Sequence, residues 1–162
     1  MSTLYTSAGL TLPEWPLACE ASAGPNAGRL EVNVIFTDPL TTAAALKSAE
    51  VMARGLGCRI HLRAVVSVPM ELPLEQPMVP ASFFERLLLD LVRELKSEGC
   101  QPVVSVYLCR DRVKTLLKIL RPNSLVVIGG RKRLWPTRES RTARTLQSAG
   151  HRVIFVFAGR TQ

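Results

Sequence analysis

Histidine is scarce in this sequence. Only His61 and His151 occur, too few for a histidine-rich metal centre. Cys19, Cys58, Cys100 and Cys109 contain no CxxC pair and are expected as reduced thiols in a cytoplasmic protein. No stretch approaches the roughly 18 apolar residues that a membrane-spanning helix needs. Met1–Ala18 has neither a basic start nor a continuous apolar run, so it does not read as a secretory signal. No G-x-S-x-G elbow is present, and neither histidine has a serine or cysteine nucleophile at a diagnostic spacing. Nothing selects a catalytic pair, so no catalytic or metal-binding residue is assigned. Acidic residues are nearly missing from one end. Residues 110–162 hold two Asp/Glu against thirteen Lys/Arg, whereas residues 1–109 hold eleven against eight. If those cations converge, that end is electropositive and steers an anionic partner.

Apolar residues are plentiful, at 47 %. That is too many for a disordered chain, and 162 residues suit one domain with a substantial core. Residues 1–29 are rich in Pro, Gly, Ser and Ala and read as an extension, while residues 30–160 read as a single α/β domain. Strands are expected over 30–37, 60–68, 103–108, 125–128 and 153–157. Helical patterns fall between them. The first covers about 42–55, capped by Thr41 or Thr42 and stopped by Gly55 and Gly57. The second starts at Ser82, with Glu85 completing a capping box, and ends before Gly99. The third, capped by Asp111, runs to Leu120 with Val113, Leu116, Leu117 and Leu120 inward. The fourth runs from Ser140 to Ala149. Pro69–Pro80, with four prolines and two acids, reads as an irregular loop over the sheet edge.

Strands alternating with helices argue for βαβ units and a mostly parallel sheet with right-handed crossovers. Ligands of such sheets bind beyond the carboxyl ends of the strands, where the strand order reverses. Asp38, the 69–80 loop, Arg110-Asp111 and Gly129–Arg133 all fall at such ends. The last is the most informative. Ser124–Arg133 reads S-L-V-V-I-G-G-R-K-R, the pattern of a buried strand opening onto an anion-binding loop. Asp38 reads either as a ligand contact or as a turn residue with Pro39. Ser140 reads as an N-cap or as a phosphate contact. Trp135 either stacks on a base or covers the core. Arg138, Arg141 and Arg144 form either a polyanion-binding face or a solvated one.

Four segments occur in a telling order: V-N-V-I-F-T-D ending at Asp38, A-A-A-L-K-S-A-E-V-M-A, L-R-P-N-S-L-V-V-I-G-G, and S-R-T-A-R-T-L-Q-S-A-G-H-R-V-I-F-V. Together they resemble the universal stress protein family over about 31–157. The resemblance implies a five-stranded parallel sheet of order 3-2-1-4-5 with helices on both faces, a Rossmann-like fold. It implies homodimers paired through the last strand. It also implies that ATP or another anionic phosphate compound is the candidate ligand, with Asp38 near the nucleotide. ATP-binding members carry G-x2-G-x9-G followed by Ser or Thr. Here Gly129 or Gly130 matches the first glycine, Lys132 or Arg133 stands at the second, Glu139 replaces the third, and Ser140 follows. Cationic side chains block close approach of backbone amides, and Glu139 repels phosphate. The expected ligand contacts are therefore Asp38, Gly129, Gly130, Arg131, Lys132, Arg133 and Ser140, with side-chain cations replacing a glycine cradle.

With that order, Val153, Ile154, Phe155, Val156 and Phe157 form an apolar edge strand that needs a partner. A second chain is expected there; the alternative is that the N-terminal extension covers it. The function expected is regulatory or ligand-sensing, not ordinary ATP binding. Two alternatives stand beside it. One is nucleic-acid or polyanion binding through Arg138, Arg141 and Arg144. The other is nucleotide cleavage at a remodelled site.

Overall fold

The computed structural model describes residues 3–6 and 11–12 as strand backbone, and 30–95, 102–132 and 136–159 in full. The stop expected at Gly99 and the loop positions Arg133 and Trp135 lie outside the described residues. The elements in order are β1 (Thr3–Thr6), β2 (Thr11–Leu12), β3 (Glu31–Ile35), α1 (Pro39–Leu56), β4 (Arg59–Ser67), α2 (Ala81–Glu94), β5 (Val103–Cys109), α3 (Arg112–Ile119), β6 (Leu125–Gly130), α4 (Arg138–Ser148) and β7 (Arg152–Phe157).

The sheet order is β2-β1-β5-β4-β3-β6-β7. Its five strands β5-β4-β3-β6-β7 are mutually parallel and carry the expected order 3-2-1-4-5. The extension adds β1 antiparallel to β5, with Leu4 opposite Tyr107, and β2 antiparallel to β1. It therefore augments the β5 edge. The expectation that it might shield the last strand is overturned for these segments. β7 is the opposite edge, and among the described residues no strand pairs with its outer side.

Strand alternation divides the core in two. Val32, Val34, Leu62, Val106, Leu108 and Val127 meet Ala45, Leu46 and Ala49 of α1 and Leu88 and Leu91 of α2. On the other face, Ile35, Val65, Val126 and Ile128 meet Leu116 and Ile119 of α3 and Ala143 and Leu146 of α4. The buried positions of α3 are Thr115, Leu116 and Ile119, while Leu117 is exposed. Its inward face is thus rotated from the one the leucine pattern suggested.

Helix starts differ from the expected ones. Asp38, not Thr41 or Thr42, caps α1; its carboxylate accepts from Leu40 N and Thr41 N, and both threonines are buried. Gly57, left-handed at φ 62°, ends that helix; Gly55 has no such conformation. α2 begins after Pro80 without a side-chain cap, so the Ser82 capping box does not form. Asp111 caps α3 as expected, accepting from Lys114 N at 3.0 Å. Thr137, not Ser140, caps α4. The 69–80 loop is tied down by Arg110, which donates to Val68 O at 3.1 Å, to Leu72 O at 2.8 Å and to Pro69 O.

Candidate functional site

The strand order reverses between β3 and β6, so the crevice predicted for an α/β sheet opens at their carboxyl ends. A cleft of about 370 Å³ lies there. Asp38 enters it from the end of β3, Gly130 and Arg131 from the end of β6, and Pro136, Thr137, Arg138 and Glu139 from the start of α4. The structure thus brings together three of the expected ligand residues, Asp38, Gly130 and Arg131.

The two glycines serve packing. Both belong to β6, paired with Val156 and Phe157, and neither has a positive φ. A Cβ on Gly129 would stand 2.0 Å from the backbone oxygen of Thr41, where the first turn of α1 crosses β6. A Cβ on Gly130 would stand 2.3 Å from the ring of Phe155. They let a helix and an aromatic ring approach the strand; the sequence had read them as the opening of a loop.

A threonine knot joins β3, β6 and α1. Thr37 Oγ1 donates to Gly129 O at 3.0 Å and lies 2.7 Å from Thr41 Oγ1. Thr41 Oγ1 in turn lies 2.7 Å from Asp38 Oδ2. Two hydroxyl protons serve these three contacts, so at most two of them are hydrogen-bonded at once. Asp38 Oδ1 accepts from Leu40 N and Thr41 N, both at 3.1 Å, and faces Arg131 Nη2 at 3.9 Å. Its structural role is therefore substantial. Asp38→Ala is expected to cost about 1–2 kcal/mol and Asp38→Asn only a few tenths, because Asn caps equally well. Urea denaturation of the two variants measures this.

Arg112 was not among the sequence candidates. Its Nη2 donates to Phe36 O at 2.8 Å, at the carboxyl end of β3, and its Nε is buried without a hydrogen-bond partner. Burial pushes its guanidinium below the usual arginine range, Glu139 opposes that shift, and Arg138 adds to it. Among the described residues no carboxylate lies within ion-pair distance of it. The signal in the sequence was its spacing: Arg112, Leu116 and Ile119 are four and seven residues apart, on one helical face. The cations lining the cleft are Arg131 and Arg138, against Asp38 and Glu139, and Arg112 is coupled electrostatically to Arg138 and Glu139.

Ser140 lies in the first turn of α4; its N donates to Thr137 Oγ1 at 3.2 Å and its Oγ to Thr137 O at 2.9 Å. It faces a neighbouring hollow of about 430 Å³ with Lys132, Arg144, Phe155 and Phe157. Arg138 lines the first cleft, Arg144 the second, and Arg141 neither. The three arginines therefore do not line a common hollow.

A parallel sheet with a reversal-point cleft of this kind defines a Rossmann-like α/β architecture. Solved structures specify the fold further. The chain superposes on a universal stress protein from Archaeoglobus fulgidus with a TM-score of 0.58 and 16 % identity, covering 87 % of this chain and 99 % of that one. A universal stress protein family member from Burkholderia pseudomallei gives 0.53 and 17 %, covering 82 % and 98 %. The Archaeoglobus fulgidus universal stress protein in complex with dAMP gives 0.50 and 17 %, covering 79 % and 97 %. No protein-family model and no curated protein sequence matches the chain. The chain has the universal-stress-protein fold, as the sequence resemblance implied.

Proposed function

We propose that this domain is a stress-protein-like regulatory module that senses an anionic, nucleotide-class ligand in the cleft between Asp38 and α4. The observation that carries this reading is the cleft itself. It sits at the reversal point of a universal-stress-protein fold, and Arg131 and Arg138 line it. One structure of that fold was solved with dAMP, which supports a nucleoside phosphate as the ligand class. The mode of binding differs from a glycine cradle. Gly129 and Gly130 are committed to packing, so the phosphate is held by Arg131 and Arg138 and by the first turn of α4. Glu139 in that turn disfavours highly charged phosphates, so AMP binds more tightly than ATP.

A thermal-shift panel of AMP, ADP and ATP tests this. At a hundredfold excess over Kd a ligand adds about 2.7 kcal/mol, roughly a 5–11 °C rise in Tm for a domain of this size. No shift with any of the three sinks the reading.

The domain works as a homodimer paired through β7. Supporting this, the outer edge of β7 has no partner strand among the described residues, and Ile154 and Phe157 are 37 % and 54 % exposed. Antiparallel pairing with a second β7 satisfies the backbone and covers those side chains. Ile154→Asp is expected to shift the protein from dimer to monomer in light scattering at micromolar concentration. A monomeric wild type under the same conditions contradicts the proposal.

A further inference from the structure

Interior strands of parallel sheets are covered on both faces and are ordinarily apolar throughout. β4 lies between β3 and β5, yet every second residue of its amino-terminal half is basic: Arg59, His61 and Arg63. These three share one face of the sheet. It is the face that α3 should cover. α3 has only eight residues, about 12 Å of helix, against nine residues and about 30 Å of β4. The apolar cluster beneath α3 and α4 accordingly includes Ile35, Val126, Val65 and Tyr107, but on β4 and β5 none of the residues that precede Val65 and Tyr107. There Val103 pairs with His61 and Ser105 with Arg63, and Val103 is 40 % exposed. The β4–β5 part of this sheet face is thus polar and half-buried.

The groups on that floor are arranged around Arg63. Its Nε donates to Asn33 Oδ1 at 2.8 Å and its Nη1 to the Tyr107 hydroxyl at 2.8 Å. Both acceptors are neutral, and among the described residues no carboxylate lies within ion-pair distance of Arg63. Among the described residues the acid nearby is Glu31, 3.6 Å from His61 Nε2 and 3.8 Å from Arg121 Nη1. Arg59, Arg63 and Arg121 therefore face a single carboxylate. His61 feels this imbalance: burial, then Arg63, then Arg59 and Arg121, outweigh Glu31 and lower its pKa to about 4. It is neutral at pH 7, with its buried Nε2 lacking a hydrogen-bond partner.

We infer that this half-buried face is a second ligand site, in which Arg63, held in place by Asn33 and Tyr107, receives an oxyanion of a small molecule, a carboxylate or a phosphate. Two of the five guanidinium donors orient Arg63, and the others remain for a bidentate contact. Ser105, next to Arg63 in the sheet, supplies a neutral donor, and Arg59 and Arg121 supply the surrounding positive field. The site lies on the sheet face beneath α3, with Arg63 at the middle of β4, level with Ile35.

The test is an NMR titration of the full chain with inorganic phosphate and, separately, with succinate. The readouts are the Arg63 Nε–H signal and the pH titration of the His61 ring. Saturable shifts are expected with at least one anion. Occupancy should raise the His61 pKa by about one unit, because the bound charge offsets the arginine field. Arg63→Gln should weaken binding at least tenfold. If that variant misfolds, Arg59→Gln, which removes a charge with no described hydrogen bond, should weaken it several-fold. Arg131→Gln should leave these shifts unchanged, which separates this site from the cleft. The tighter of the two anions identifies the ligand's acid group. Shifts that never saturate, or an affinity unchanged in the Arg63 and Arg59 variants, overturn the proposal.

Discussion

Gly129→Ala is expected to lower the melting temperature by roughly 6–12 °C, corresponding to about 3 kcal/mol. The new methyl would stand 2.0 Å from Thr41 O and 3.1 Å from Thr41 Cβ. The first is a backbone atom inside the first turn of α1, so no rotamer change relieves the clash; the helix must move off the sheet. That displacement also disturbs the Thr37–Thr41–Asp38 knot, so the cleft changes shape together with the core. Gly130→Ala is the control. Its methyl meets the far edge of the Phe155 ring at 2.3 Å, and a side chain can swing where a backbone cannot. It should cost about 1–2 kcal/mol. If these glycines served a phosphate loop, the order would differ: both variants would keep their stability and lose ligand. Differential scanning calorimetry of the pair, with and without AMP, distinguishes the two roles.

Neutralising both cleft arginines, Arg131→Gln with Arg138→Gln, is expected to reduce nucleotide affinity about a hundredfold while leaving stability within about 0.5 kcal/mol. The binding estimate takes the low end for a charge-assisted hydrogen bond, about 1.5 kcal/mol each, because the site is open to solvent. Little stability is at stake, since the Arg131–Asp38 pair is 3.9 Å apart and solvent-exposed. Glu139→Gln should act in the opposite sense. It removes the negative charge in the first turn of α4 and should tighten AMP two- to fivefold, and ATP more. Isothermal titration calorimetry reads both. Equal affinity in wild type and double variant would show that these arginines only solvate the surface.

The parts of this molecule legible in its sequence are those written in local patterns. Val32, Val34 and Ile35, the alternation of Ile60, Leu62 and Ala64, and the apolar run Val126–Ile128 each mark a strand, and each is one. The sheet order followed from the family resemblance, and the structure reproduces it. Features set by distant partners were not legible. Gly129-Gly130 followed by cations looks like a loop, because the residue that demands a glycine, Thr41, is far away in the chain. Polar residues compete to start helices. Ser140 and Thr137 are both good caps, and the helix begins at the earlier one, just after Pro136. Ser82 loses to the chain direction set by Pro80. β1 joins the sheet by pairing with the edge of β5, a non-local choice that a Gly- and Ser-rich segment does not announce. Arg112 was readable from its spacing to Leu116 and Ile119, yet a cation on a buried face is easily taken for a solvated one. Arg59, His61 and Arg63 were also readable, as a basic alternation within an interior strand.

In the proposed function the cleft recognises the phosphate of a nucleotide through side-chain cations. Calorimetric titration of the wild-type protein with AMP and with adenosine tests it most directly, because the two ligands differ only in that phosphate. Saturable binding of AMP, one per chain, is expected, with adenosine at least tenfold weaker. Equal affinities for the two, or no heat from either at millimolar concentration, would contradict it.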